Sequence, residues 1–189
     1  SFLGEHPPSA GTGAHQTITE ISAHARGVYQ YFPRAVTIID IGGQDNKVIR
    51  IDASGRIMNF RMNRKCAAGT GAFLEEIAYK MDIPLDQLNK LAKASTKPVV
   101  LGSYCTVFTA TEILSKIREG IKKENIIHGV FKSIIKRIIE MDPMGSDVVL
   151  TGGVIAYNDI IKELLTQTLK VGATPSGRPN IKGNHMGLP

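Results

Sequence analysis

The 189-residue sequence contains no tryptophan, and aromatic residues make up only 6% of it. Proteins that bind single-stranded nucleic acid usually stack bases on aromatic side chains, so this chain is a poor candidate for that class. The formal charge of +6 arises from 23 basic and 17 acidic residues, which are spread along the chain without forming a basic run. We therefore predict no nucleic-acid partner. A phosphate ligand or an acidic protein partner explains the mild basic excess equally well.

Long hydrophobic runs are also missing from the sequence. No apolar stretch approaches the roughly 20 residues that a membrane-spanning helix needs, and the opening segment has no signal-peptide core. The sequence therefore predicts a cytoplasmic protein that does not contact a membrane. Apolar residues account for 42% of the chain, which is enough for a globular core.

Cysteine is scarce, because the chain has only Cys66 and Cys105. Two cysteines do not make a disulfide scaffold, and in a reducing cytosol they remain thiols unless a metal binds them. Each precedes a predicted helix, whose N-terminus favours an anion such as a thiolate-bound iron-sulfur cluster. A [4Fe-4S] cluster normally needs four thiolates, so a two-fold homodimer would have to supply the other two. By itself the spacing favours the alternative, which is two buried structural cysteines.

Hydrophobic periodicity predicts alternating strands and helices. Buried strands are predicted in AVTIID and DVVLT, a hairpin in KVIRID and RIMNFRM, and a short strand in PVVLG. Helices are predicted over 15–31, from 70 to before 84, over 108–119 and over 125–141, with further helices in LDQLNKLA and IIKELLTQTL. The Gly/Pro-rich stretches up to Gly13 and after Gly172 are predicted to be irregular.

A pair of glycines follows each of the two buried strands. Gly42 and Gly43 come after AVTIID, and Gly152 and Gly153 come after DVVLT. Glycine lets backbone N-H groups approach a phosphate closely, so two such turns indicate a nucleotide site, although each alone is also what a tight loop needs. Asp40 lies at the end of the first strand, where a carboxylate can hold a Mg²⁺-bound water. The alternative is an aspartate that caps the turn.

Other motifs are absent or weak. The sequence has no GxxxxGK[ST] loop, which excludes a P-loop NTPase, and its isolated histidines form no catalytic triad. Glu20 and His24 are four residues apart on the first predicted helix, and we interpret them as a surface pair.

Four strings together carry a resemblance to a known family. They are VTIIDIGGQDNKVI at 36–49, NRKCAAGTGAFLE at 63–75, SYCTVFTATEI at 103–113 and VVLTGGV at 148–154. With these strings, in this order, the chain resembles the activator ATPases of 2-hydroxyacyl-CoA dehydratases and the related ATPase subunits of benzoyl-CoA reductases.

The resemblance implies an α/β fold of the acetate kinase, Hsp70 and actin superfamily. The fold would be a ribonuclease-H-like half of an actin-like ATPase, with a mixed sheet flanked by helices. Residues 1–34 would end the first subdomain, 35–171 would form the second subdomain with the cluster cysteines, and 172–189 would be an irregular tail. The sequence shows no DxGSTxxK-like first phosphate loop and no closing GAxGAAL-like helix, so we expect a truncated N-terminal half. Arg64 also stands where many relatives carry an acid.

The same resemblance implies roles for particular residues. DIGGQD would be the second phosphate loop and LTGGV the adenosine loop of a site for ATP and Mg²⁺. The implied catalytic residues are Asp40 and Gln44, the implied nucleotide-binding residues are Gly42, Gly43, Asp45, Gly152 and Gly153, and the implied ligands of one [4Fe-4S] cluster, bridging a homodimer, are Cys66 and Cys105.

The implied function is ATP-dependent electron transfer. Ferredoxin or flavodoxin would reduce the cluster, and ATP binding and hydrolysis would drive delivery of a low-potential electron to an acyl-CoA dehydratase or reductase partner. Two alternatives stay open. One is a sugar or acyl kinase of the same superfamily, and the other is a degenerate, non-catalytic module for dimerisation or partner binding.

Overall fold

The computed structural model describes residues 19–63, 69–102, 106–142, 144, 147–172 and 180–182. The strands in these parts are β1 (Val36–Ile41), β2 (Asn46–Ile51), β3 (Ile57–Asn63), β4 (Asp147–Thr151) and β5 (Asn180–Lys182). The α-helices are α1 (Glu20–Tyr31), α2 (Gly71–Met81), α3 (Leu88–Lys93), α4 (Thr106–Arg118), α5 (Lys123–Met141), α6 (Gly153–Tyr157) and α7 (Ile160–Gly172). None of the helices in these ranges is long and apolar enough to cross a bilayer.

The five strands form one mixed sheet in the order β3-β2-β1-β4-β5. The strands β1, β2 and β3 are antiparallel neighbours, whereas β4 runs parallel to both β1 and β5. The parallel neighbours β1 and β4 require a crossover connection. Helices α2 to α5 belong to this connection and lie between β3 and β4 in the sequence. The parallel register places Asp40 beside Thr151, so the carboxyl ends of β1 and β4 meet at one edge of the sheet.

Alternating side chains of β1 enter two different cores. Ile39 and Ile41 join the larger core, together with apolar residues of α2, α3, α5 and α7. Val36 and Ile38 join a smaller core beneath α1. Because both faces of β1 are covered, all six of its residues are buried, and its sequence VTIIDI does not alternate between apolar and polar residues. The predicted α/β architecture, a mixed sheet flanked by helices, is confirmed.

The predicted strand in PVVLG is wrong, because this segment packs against helix α5 and not in the sheet. The amide of Val99 donates to the carbonyl of Asn125 at 3.2 Å. A Cβ atom at Gly129 would lie 2.6 Å from the carbonyl oxygen of Val99, so the glycine allows the segment to lie directly on the helix. The partly buried Val99 therefore packs on a helix, whereas its neighbour Val100 is exposed.

Three further elements differ from the sequence prediction. Helix α1 begins at Glu20, with Thr19 as its N-cap accepting from the amide of Ser22 at 3.2 Å, whereas the predicted start at 15 lies outside the described residues. The short helix α6 follows Gly152 directly, where only a turn was predicted. The short strand β5 lies in the segment that was expected to be irregular, because its order comes from pairing with β4 and not from local periodicity.

Candidate functional site

A buried ion pair joins the ends of β1 and β2. Asp40 and Lys47 are cross-strand partners in the antiparallel register, so their side chains lie on the same face of the sheet. The Nζ atom of Lys47 is 3.3 Å from Oδ2 of Asp40, and only 4% of the lysine side chain and 10% of the aspartate side chain are exposed. The sequence does not predict Lys47 as a site residue, because no local pattern pairs β1 with β2.

Lys47 also binds two other carboxylates. Its Nζ atom is 2.7 Å from Oδ1 of Asp45 in the β1–β2 turn and 2.9 Å from Oε1 of Glu20 on α1. Burial alone would lower the pKa of the Lys47 ammonium. The hydrogen bonds to Asp45 and Glu20, together with the charge of Asp40, outweigh burial and raise this pKa above its usual value. Lys47 is therefore a stable positive charge facing three negative ones.

His24 and Thr151 complete the surroundings of Asp40. The Thr151 hydroxyl lies 3.0 Å from Nε2 of His24 and donates to Oδ1 of Asp40 at 3.3 Å. Nδ1 of His24 is 3.7 Å from Oδ2 of Asp40. The interpretation of Glu20 and His24 as a surface pair is incomplete, since helix α1 packs on the sheet and turns both side chains towards Asp40 and Lys47, while 62% of the Glu20 side chain stays exposed.

The Gly42–Gly43 loop is joined to the first turn of α2. The amides of Gly71 and Ala72 donate to the carbonyls of Gly42 and Gly43 at 2.9 and 2.8 Å. A Cβ atom at Gly71 would lie 3.0 Å from Cα of Gly43, so the close approach requires glycine at this position. Within the loop, the amide of Gly42 donates to the carbonyl of Asp45 at 2.9 Å, which closes the turn.

Gly152 directly follows β4 and lies against the end of the neighbouring strand β1. Its φ of +98° lies in the region that favours glycine. A Cβ atom there would lie 2.4 Å from the carbonyl oxygen of Ile41 and 2.6 Å from Oδ1 of Asp40. The second glycine turn is thus required both by the backbone conformation and by its contact with the first strand.

An open cavity of about 670 Å³ lies beside these turns. Glycines from three separate segments line it: Gly43 after β1, Gly71 at the start of α2 and Gly153 at the start of α6. Larger side chains also line it, and they include Leu74, Glu75, Leu85, Asp86 and Tyr157. Such a volume, lined by bare backbone and by apolar and acidic side chains, can hold a nucleotide-sized ligand.

The predicted site residues fall into three groups in the structure. Those brought together are Asp40, Gly42, Gly43, Asp45, Gly152 and Gly153. Gln44 is exposed in the turn between β1 and β2. Cys66 and Cys105 lie outside the described residues. Over the ranges that the structure describes, there is no group of three or more His, Cys, Asp or Glu residues arranged to hold a metal ion.

Comparison with protein families decides the classification. The model of the BadF/BadG/BcrA/BcrD ATPase family matches residues 2–177 of the chain. The chain belongs to this family. The family resemblance predicted from the four strings is confirmed.

Individual relatives agree with the family assignment. The activator of lactoyl-CoA dehydratase from Anaerotignum propionicum is 42% identical over 173 residues, which is 90% of this chain and 66% of that protein. The (R)-2-hydroxyglutaryl-CoA dehydratase activating ATPase of Acidaminococcus fermentans is 42% identical over 161 residues, which is 84% of this chain and 61% of that protein. The chain thus spans less than two thirds of the length of these relatives.

A solved structure of a relative has the same architecture. The activator of the 2-hydroxyisocaproyl-CoA dehydratase from Clostridium difficile, with bound ADPNP, superposes with a TM-score of 0.78 at 36% identity. The superposition covers 93% of this chain and 63% of that one. The predicted actin-like ATPase fold is confirmed.

Proposed function

We propose that this chain binds ATP and Mg²⁺ as part of an ATP-dependent activator of an acyl-CoA dehydratase or reductase. The observation that carries the proposal is the cavity where Gly43, Gly71 and Gly153 meet. Glycine at all three positions leaves backbone exposed, which is what close approach to a nucleotide needs. The relative solved with bound ADPNP has the same fold over this region, which supports a nucleotide as the ligand.

The backbone of the Gly42–Gly43 loop is oriented to bind phosphate. The carbonyls of Gly42 and Gly43 point at α2, because they accept from its first two amides. In a trans peptide the N-H group points opposite to the carbonyl, and the described residues contain no cis peptide. The N-H groups of Gly43 and Gln44 therefore point away from α2 and are the donors that we assign to phosphate oxygens.

Asp40 and Gln44 are the residues that we assign to the reacting end of the nucleotide. Mg²⁺ bound to the nucleotide would neutralise phosphate charge. Lys47 lies 3.3 Å from Oδ2 of Asp40, so a direct Mg²⁺ contact with this oxygen would set two cations side by side. We therefore assign Asp40 to hold a Mg²⁺-bound water, and Gln44, which is exposed in the adjacent turn, to orient the water that attacks the terminal phosphate.

Cys66 and Cys105 are the ligands that we propose for a [4Fe-4S] cluster shared between two copies of the chain. Helix α2 begins five residues after Cys66, and α4 begins directly after Cys105. Both helix starts would favour an anionic cluster, which supplies a low-potential electron. Because the first turn of α2 is hydrogen-bonded to the Gly42–Gly43 loop, nucleotide binding there can be transmitted towards Cys66.

The proposed activator would work with other proteins. Ferredoxin or flavodoxin would reduce the cluster, and the electron would pass to a dehydratase or reductase component in the cytoplasm. The relatives that are named as activators of lactoyl-CoA and (R)-2-hydroxyglutaryl-CoA dehydratases support a partner of this class.

Calorimetric titration with Mg-ATP tests the nucleotide site. We expect Gly43→Leu to weaken binding by more than about tenfold, because a side chain there projects into the cavity, where nothing lies within 4 Å of its Cβ. Gly27→Leu is the matched control, since its Cβ also meets nothing within 4 Å but it lies on helix α1.

Three results would contradict the proposal in different ways. Equal ATP affinity in Gly43→Leu and the unsubstituted chain would remove the cavity as the site. No ATP affinity in the unsubstituted chain would favour the non-catalytic module. ATP consumption that depends on a small acceptor molecule, and that survives substitution of both cysteines, would favour the kinase.

A further inference from the structure

The carboxylate of Asp40 is held on both oxygens by residues outside the nucleotide cavity. Oδ2 faces Lys47 at 3.3 Å, and Oδ1 accepts from the Thr151 hydroxyl at 3.3 Å. Gly152 closes the same side, because the position of its missing Cβ lies 2.6 Å from Oδ1. The orientation of Asp40 is therefore decided by its neighbours, which include Nδ1 of His24 at 3.7 Å and the ammonium group of Lys47.

Lys47 is itself fixed from two directions besides Asp40. Asp45 binds it from the β1–β2 turn at 2.7 Å, and Glu20 binds it from the first turn of α1 at 2.9 Å. The lysine side chain is almost completely buried, whereas 62% of the Glu20 side chain is exposed. Glu20 thus reaches inwards from the surface, and it links helix α1 to the strand that carries Asp40 through a single ammonium group.

We propose that Lys47 is a positioning residue for the Asp40 carboxylate and that helix α1 belongs to the nucleotide site through Glu20. This inference rests on the proposed function, in which Asp40 holds a Mg²⁺-bound water. Without the ammonium group, Asp40 and Asp45 would face each other with no cation between them. The Asp40 carboxylate would then turn away from its present direction, and its hold on the Mg²⁺-bound water would be lost.

The test compares ATP affinity with and without Mg²⁺, measured by calorimetry on the full chain. The readout is the dissociation constant of ATP without Mg²⁺ divided by the dissociation constant with Mg²⁺. This ratio separates the contribution of Mg²⁺ from general nucleotide binding. We expect Lys47→Met to lower this ratio by about tenfold, to the level of Asp40→Asn, and Lys47→Arg to restore most of it. Glu20→Gln removes only the ion pair between helix α1 and Lys47, and it should lower the ratio by about threefold.

Glu76→Gln is the matched control for Glu20→Gln. Glu76 is also a helical glutamate bonded to a lysine, Lys80, at 2.7 Å, but it lies on α2 away from Asp40. It should leave the ratio unchanged. Glu20→Gln keeps the test decisive if Lys47→Met does not fold, because the exposed Glu20 side chain is not part of either core.

Two results would overturn the inference. In the first, Lys47→Met and Glu20→Gln keep the ratio of the unsubstituted chain, while Asp40→Asn lowers it. The ion pairs of Lys47 would then have a structural role only, and the proposed function would survive. A normal ratio in Asp40→Asn would instead remove Asp40 from the Mg²⁺ site, and the positioning role of Lys47 would fall with that part of the proposed function.

Discussion

Gly71, at the start of α2, donates its amide hydrogen to the carbonyl of Gly42 at the end of β1, with an N-O distance of 2.9 Å. The next amide along, that of Ala72, donates to Gly43 in the same way at 2.8 Å. The first turn of the helix after Cys66 is thus anchored on the loop that we assign to the nucleotide phosphates.

Gly71→Ala should separate this helix from the loop. Its Cβ would lie 3.0 Å from Cα of Gly43 and 3.2 Å from Cγ2 of Val154, and the glycine backbone cannot give way as a flexible side chain would. We expect a loss of about 1–3 kcal/mol in the free energy of unfolding and weaker ATP binding. Urea denaturation and calorimetry measure the two effects.

Gly27→Ala, in the open middle of α1, should instead stabilise the chain by about 0.5–1 kcal/mol. Equal stability of the Gly71→Ala and unsubstituted chains would contradict the close contact.

Gly152→Ala should be strongly destabilising, and Gly153→Ala should not. An alanine at 152 combines a φ of +98° with a Cβ 2.4 Å from the carbonyl oxygen of Ile41, whereas a Cβ at 153 meets nothing within 4 Å. We expect a cost above about 2 kcal/mol for the first substitution and no significant cost for the second. Thermal and urea unfolding of the two neighbouring variants provide the comparison. Similar stabilities would argue against the close contact of Gly152 with the backbone of Ile41.

Lys47→Met should change how stability depends on alkaline pH. The pKa of Lys47 is raised in the folded chain, so its contribution is complete below the unfolded pKa of about 10.4 and is lost as pH rises towards the folded value. At neutral pH the substitution should cost about 3 kcal/mol, because it leaves the buried Asp40 without its cation. The difference in unfolding free energy between the two chains should shrink above about pH 10.4. A difference that stays constant up to pH 12 would argue against the ion pairs as its source.

Cys105→Ser should prevent assembly of the proposed [4Fe-4S] cluster without affecting nucleotide binding. Anaerobic reconstitution with iron and sulfide should give a brown dimer with about four irons per two chains, and the variant should remain colourless. Iron analysis and sedimentation measure the two properties, and ATP affinity in the same sample reports on the fold. Cys66→Ser should behave alike, since the chain has only these two cysteines. Full iron content in either variant would exclude that cysteine as a ligand.

The strands and turns of the candidate site were predictable because their signals are local. A β-branched run that ends in two glycines indicates a buried strand and a tight turn, and this pattern correctly located Gly42 and Gly152. The strand predicted in PVVLG was wrong for the same reason. Its local composition suits a strand, but Val99 packs on helix α5 at Gly129, 30 residues further along the chain, and Val100 is exposed.

The sequence by itself determined the family, the α/β class and the glycine turns, since each depends on residues that are close neighbours along the chain. Only the tertiary structure decided what surrounds Asp40. His24 meets Thr151 across 127 residues, and Lys47 meets Glu20 only because α1 packs on the face of the sheet that also carries Asp40. The register of strands and the packing of a helix depend on the whole core, and no local pattern encodes them. The DIGGQD string therefore predicted where Asp40 lies, and the fold added the lysine, histidine and threonine that hold it.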